Sequence, residues 1–272
     1  MEDQAVCKIC GSHSNYVFST NILGKYCIAY YKCSVCDFLQ TENAYWLKEA
    51  YSNAIAHSDI GYVSRNLMYR TIVSFIIKSK FDRKAQFLDY GGGYGLFVRL
   101  MRDVGFDFYR QDLYCENLFA QHFDLIDKTG LSNDFALLTA FEVFEHFDAP
   151  MREVEQMLQH SRSILFSTDL LPDNLNNPAE WWYLSPETGQ HIAFYSEKSL
   201  RFIADKLGLN LYTDKKNLHL LTDKKMNAHF IQYVSLYFRI IFRLSAKYFD
   251  NKKSLIKADV EYIKQCNCAE LK

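Results

Sequence analysis

Four cysteines carry the clearest chemical signal in the chain. Cys7 and Cys10 form one CxxC pair and Cys33 and Cys36 a second, 22 residues further on. Each pair can turn two thiolates toward one point, and four thiolates complete a tetrahedral zinc shell. Gly11 and Asp37 follow the two pairs, where the chain must reverse sharply. The segments 16–18 and 28–32 between the pairs read as strands. The spacing therefore predicts a small zinc ribbon, closed and structural rather than catalytic. Cys27 and Cys115 lack such spacing and are expected to behave as small apolar residues. Cys266 and Cys268 fall in a polar tail and are not read as ligands.

A second group follows a short apolar strand. Residues 87–98 read FLDYGGGYGLFV, a strand ending at Asp89, a glycine turn, and the start of a helix. Strand, glycine turn and helix make the first unit of a doubly wound α/β fold, whose ligands bind beyond the carboxyl ends of the strands. A dinucleotide fingerprint would need glycine where Leu96 stands, and no Gly-Lys-Ser/Thr follows to make a P-loop. What stands here is Asp89-x-Gly91-x-Gly93-x-Gly95. Asp112 closes the next strand, 23 residues after Asp89, near the interval expected of an acid that binds ribose hydroxyls.

The glycine pattern resembles motif I of the class I S-adenosylmethionine-dependent methyltransferases. The run from Phe135 to Pro150 resembles the fourth-strand region of that family, with Glu142, Glu145, His146 and Pro150 in matching places. The resemblance implies a Rossmann-like seven-stranded methyltransferase sheet. It implies S-adenosylmethionine as cofactor, bound by Asp89, Gly91, Gly93, Gly95, Asp112, Leu113 and Phe141. It also places Glu142 near the methyl-transfer cleft and gives His146 an architectural or catalytic role. Segments 163–168, 209–213 and 218–222 are expected to complete the sheet. A helix over 197–207 is expected between them, capped by Ser196 and ended by Gly208, with Leu200, Ile203, Ala204 and Leu207 on one face.

The loop before that helix, residues 181–196, resembles a bacterial subgroup of zinc-containing deoxysugar C-methyltransferases. His191 matches a histidine implicated there in proton abstraction, while Thr188 and Gln190 stand where that subgroup has Tyr and Glu. Histidine suits proton removal near neutral pH. The reading is O-methylation of a sugar nucleotide or surface-polysaccharide precursor, a small-molecule substrate, with His191 as base. Trp181, Trp182, Tyr183, Phe194 and Tyr195 would stack on a sugar or exclude water. Methylation of a tRNA or protein recognised by the ribbon is one alternative. A zinc-ribbon scaffold with a degenerate methyltransferase domain is another.

The elements that must hold these residues divide the chain into a ribbon (1–41), a helical linker or lid (42–82), the methyltransferase domain (83–222) and a helical basic tail (223–272). Within the lid, Tyr62 and Arg65 are candidates to cover the cofactor. The composition fits a folded enzyme. The 272 residues are 49% hydrophobic and 16% aromatic, which excludes a disordered chain. Lys and Arg number 31 against 32 Asp and Glu. That balance hides an asymmetry: residues 214–272 hold twelve basic against six acidic side chains, net +6, so residues 1–213 hold 19 against 26, net −7. An acidic body argues against nucleic acid as a partner. Tyr233–Phe249 is apolar but interrupted by Arg239, Arg243 and Lys247. Ser235 and these three form one polar stripe, so the helix is expected to be buried over most of its surface, against its own domain or in a homodimer, or else to touch a membrane surface. The acidic N-terminus has no basic start to an export signal, and a reducing cytoplasm would keep the thiols free.

Overall fold

A computed structural model describes residues 4–51, 60–127, 134–172 and 178–249, together with residue 259. The Cys266 and Cys268 pair, and the tail from 250 onward apart from 259, lie outside the described residues. In chain order the elements are β1 (Gln4–Val6), β2 (His13–Ile22), β3 (Tyr26–Cys33), β4 (Leu39–Thr41), α1 (Leu47–Ala50) and α2 (Tyr62–Lys80). Then come β5 (Gln86–Tyr90), α3 (Leu96–Asp103), β6 (Asp107–Gln111), β7 (Leu137–Phe141), α4 (Pro150–Leu158) and β8 (Ser163–Ser167). The chain continues with β9 (Ala193–Phe194), α5 (Glu197–Lys206), β10 (Asn210–Thr213), β11 (Leu218–Thr222) and α6 (Phe230–Phe249).

The larger sheet has the order β10-β11-β8-β7-β5-β6. Strands β6, β5, β7 and β8 run parallel, and the β10–β11 hairpin adds antiparallel to β8. Central strands buried on both faces need continuous apolar runs, and β7 and β8 supply them. Seven strands were expected; among the described residues there are six. Beside β6, where a further strand would pair, only a single parallel bridge forms, Arg110 with Asp124. The chain there is wound into turns. Asn117 Oδ1 accepts from Ala120 N–H at 2.9 Å, and its amide donates to Ala120 O and to Asp124. A residue held by side-chain turns is not free to extend into a strand.

Helix α5 begins as expected. Ser196 and Ser199 satisfy each other's backbone N–H groups in a capping box, and Leu200, Ile203 and Ala204 face the core. Helix α6 packs on its own domain through Ile231, Val234 and Phe238. Part of its polar stripe has a specific partner. Ser235 and Arg239 both bond the buried Asp214 carboxylate of the β10–β11 hairpin, at 2.7 and 3.0 Å. The opposite side carries exposed Tyr233, Leu236, Tyr237, Ile240 and Leu244. The helix is thus buried along one face rather than over most of its surface. No described helix is long and apolar enough to cross a membrane.

The smaller sheet has the order β1-β2-β3-β4-β9. Its fifth strand comes from far along the chain: Leu39 pairs with Phe194 and Gln40 with Ala193. Thr41 N–H also bonds Ile192 O at 3.2 Å. Residues 4–41 therefore do not close their sheet by themselves. The core beneath is shared, with Ile22, Ile28, Tyr30 and Trp46 packed on Trp181, Tyr183, Leu184, Ile192 and Phe194. Trp46 donates its indole N–H to Gly189 O at 2.8 Å. Gly189 sits at φ +65, and a Cβ there would lie 2.7 Å from Ile22, so only glycine fits. Cys27 is exposed on β3 rather than packed as a small apolar residue.

Trp46 is 2% exposed and ties the two parts together. Trp46→Ala should lower unfolding stability by about 3–5 kcal/mol, the usual loss for a buried large aromatic. Urea unfolding would measure it.

Candidate active site

The glycine turn forms because β5 must reverse into α3 within five residues. Gly91, Gly93 and Gly95 adopt φ +67, +53 and +81. A Cβ on Gly91 would stand 2.7 Å from Val143, so this position needs glycine for space as well as conformation. Gly95 is the residue before α3 and does not line the pocket, whereas Gly91 and Gly93 do.

Arg110, 2% exposed, anchors the turn from β6. Its Nε donates to Gly93 O at 2.7 Å, one terminal nitrogen donates to Asp124 at 2.6 Å, and the other to Cys115 O. A buried guanidinium must be paired in this way, since an isolated one would be strongly destabilising. Asp112 accepts from Gly93 N–H at 2.9 Å and from Tyr114 and Cys115 N–H at 2.8 Å. Sequence reasoning overlooked Arg110, because a lone arginine within a strand carries no pattern.

Asp89 is 3% exposed and accepts from Thr139 Oγ1 at 2.6 Å. Burial pushes its carboxyl up to about 7, which Thr139 only partly offsets.

The pocket has a volume of about 1360 Å³. Asp89, Asp112, Leu113 and Phe141 line it, and so do Glu142, His146 and His191. Tyr62 and Arg65 of α2 also line it. Tyr69 of α2 stacks on Phe141 with ring centroids 4.1 Å apart. Glu142 has φ +55, unusual for a residue with a side chain. Ser167 holds it there: its hydroxyl accepts from Glu142 N–H at 2.8 Å and donates to Glu142 Oε1 at 2.6 Å.

His146 and His191 stand together, ring centroids 5.1 Å apart. His146 Nδ1 bonds Gln190 O at 3.0 Å and His191 Nδ1 bonds Tyr183 O at 2.6 Å. Carbonyl oxygens only accept, so each Nδ1 carries the hydrogen. Burial lowers His146 to about 4 and His191, with His146 beside it, to about 3. Both rings are neutral near pH 7, and each Nε2 bears a lone pair. Gln190 explains one departure from the deoxysugar subgroup. Its amide donates to Ala50 O at 2.8 Å, a bond that an acceptor-only Glu could not make. Behind the histidines lies Glu145, fully buried, with no hydrogen-bond partner for either carboxylate oxygen.

The cysteines converge about the two knuckles. Cys7 Sγ lies 3.6 Å from Cys36 Sγ, and Cys10 Sγ 3.4 Å from Cys33 Sγ. All four sulfurs fall within 4.8 Å of one another. Zinc–sulfur bonds of about 2.3 Å in a tetrahedron place sulfurs about 3.8 Å apart, so this set fits zinc. Ile9, Val35 and Cys36 point backbone N–H groups at Cys7 and Cys33 Sγ. Gly11 and Asp37 take positive φ where the reversals were expected.

Residues 64–214 match the model of a family described as a methyltransferase domain. No curated protein matches the chain. Among solved structures, the mitomycin 7-O-methyltransferase is 13% identical over 65% of this chain and 60% of its own, with a TM-score of 0.44. Human N-acetylserotonin methyltransferase in complex with SAM is 14% identical over 65% of this chain and 56% of its own, TM-score 0.45. The magnesium protoporphyrin IX methyltransferase of Synechocystis PCC 6803 with bound SAH is 12% identical over 65% and 92%, TM-score 0.42. The chain thus spans little more than half the length of the first two.

Asp89 yields a pH prediction. Its folded pKa lies above the unfolded value, so its contribution to stability is greatest below pH ~4 and is lost as pH rises through 7. Relative to Asp89→Asn, the parent protein should lose stability over this window at up to about 1.4 kcal/mol per pH unit. Denaturant melts of both proteins from pH 4 to 8 would show the divergence.

Proposed function

The chain belongs to the methyltransferase-domain family, and from that premise we propose that it transfers a methyl group from S-adenosylmethionine to a hydroxyl of a small polar metabolite, a sugar nucleotide or polysaccharide precursor. The observation that carries this reading is one pocket lined by two chemically different groups of residues. A glycine turn lets backbone approach a ligand closely, and Asp112 offers a carboxylate for ribose hydroxyls. In the same pocket Glu142, His146 and His191 present acceptors.

Bound S-adenosylmethionine supplies an electrophilic methyl carbon on a sulfonium. This chain's residues do the rest. Asp112 and the Gly91–Gly93 backbone would fix the cofactor, while Leu113 and Phe141 flank it. Glu142 and the lone pairs of His146 and His191 would accept the hydroxyl hydrogen of the incoming acceptor and aim its oxygen, with His191 taking the proton. Orientation of this kind supplies much of the rate in an in-line displacement. Trp182, 70% exposed at the pocket wall, suits a stacking platform for a sugar or base. The four cysteines would hold a structural zinc, which ties the Cys7–Cys10 knuckle to the Cys33–Cys36 knuckle.

Calorimetry should detect S-adenosylhomocysteine binding to the purified protein, weakened at least tenfold by Asp112→Ala; absence of binding to the parent would sink the cofactor assignment. Labelled methyl transfer to a panel of nucleotide sugars would identify the acceptor class. Elemental analysis should find one zinc per chain at the thiolates, and Cys10→Ser should release it and lower the Tm.

A further inference from the structure

Behind the acceptor end of the pocket a buried carboxylate has no partner. Glu145 lies in the short turn after β7, fully inaccessible, and neither of its oxygens accepts a hydrogen bond. A bare carboxylate away from water is strongly destabilising unless something positive faces it. No arginine or lysine does so among its described ion pairs. The neighbours include His146 and His191, with the Glu142 carboxylate and the Tyr183 hydroxyl also acting on it, and one ligand atom from each of Glu145, His146 and His191 falls within 4.8 Å of the others.

We propose that Glu145, His146 and His191 bind a divalent transition-metal cation at the floor of the pocket, with its open side facing the acceptor. Three observations converge on it. The donor set, two imidazoles and one carboxylate, is one that first-row divalent metals take with coordination positions to spare. Each histidine already has the outer hydrogen bond that metal-bound imidazoles need. Nδ1–H donates to the Gln190 or Tyr183 carbonyl, which fixes the ring and leaves Nε2 as the donor atom. The arrangement also has direction: the two histidines line the cavity, while Glu145 is behind them.

Burial weakens the hold of both rings on a proton and leaves their Nε2 lone pairs free; where the cation is bound, His191 serves as its ligand in place of base. A cation there would balance Glu145 and the nearby Glu142, and would attract an oxygen of the acceptor. The carboxylate and imidazoles differ from the thiolate set near the knuckles, so the two sites should select different metals. The position of the ion relative to the acceptor rests on the methyl-transfer reading; the site itself does not.

The test uses the full chain, dialysed briefly against a chelator so that the closed thiolate site keeps its zinc, and then titrated with cobalt(II). One cobalt per chain should bind, with visible absorption lacking sulfur-to-cobalt charge transfer. Glu145→Gln, which keeps the shape of the side chain, and His146→Gln should each weaken cobalt binding at least tenfold, with circular dichroism unchanged. No cobalt uptake by the parent, a spectrum showing sulfur ligands only, or variants that bind as the parent does would overturn the proposal. The last result would leave the trio as groups sharing a proton. Calorimetry with S-adenosylhomocysteine on the same samples separates the two readings. Cofactor binding without cobalt refutes the metal site alone, and cobalt without cofactor refutes methyl transfer alone.

Discussion

The buried Arg110 guanidinium is the constraint around which the glycine-turn wall of the pocket is arranged. A charge that far from solvent has to be met on every side, and each partner it finds belongs to a different segment. Gly93 O comes from the glycine turn, Cys115 O from the loop after β6, and Asp124 from the bridge beside the sheet edge. Asp112 lies 3.9 Å away and bonds the same turn from the other side. One side chain thereby sets the curvature of the turn and the place of the acid beyond β6. It also accounts for the lack of an edge strand among the described residues beside β6, since Asp124 is held to the guanidinium by its side chain while the backbone near it winds into turns.

The side of the pocket that carries Glu142 and His191 is built on a different principle. Its floor is a strand end under strain, Glu142 at positive φ, held by Ser167 through both backbone and side chain. Strain of this kind persists where the surroundings over-determine it. Its wall is the loop that carries His191, and that loop is straightened by pairing with β4. The cysteine-bearing sheet therefore shapes the histidine-bearing wall of the pocket directly. Lys8 reinforces the contact through Asp148, 2.6 Å away.

Much of this was legible in the residues. The glycine turn, the acid at the end of the next strand, the capped helix at Ser196 and the knuckle cysteines each have local signatures with fixed spacing. All of them appear where the spacing put them. What the sequence concealed is non-local. A two-residue strand such as β9 has no periodicity to detect. Arg110 reads as a polar residue in a strand until its three acceptors are assembled from elsewhere. Glu145 was visible within its motif, but its lack of a hydrogen-bond partner emerges only once the packing around it is known. The polar stripe on α6 likewise had no visible partner until Asp214 turned out to face Ser235 and Arg239.

The pairing of β4 with β9 also bears on how the chain comes to its final shape. Leu39 leaves a ribosome long before Phe194 does, so the first four strands are made with an unclosed edge and half of their core absent. Contacts of such sequence separation are slow to form, and an open strand edge invites association with other chains in the interval. A metal clasped early by Cys7, Cys10, Cys33 and Cys36 would hold the nascent sheet in register during that wait. The knuckles would then serve synthesis as much as the finished protein.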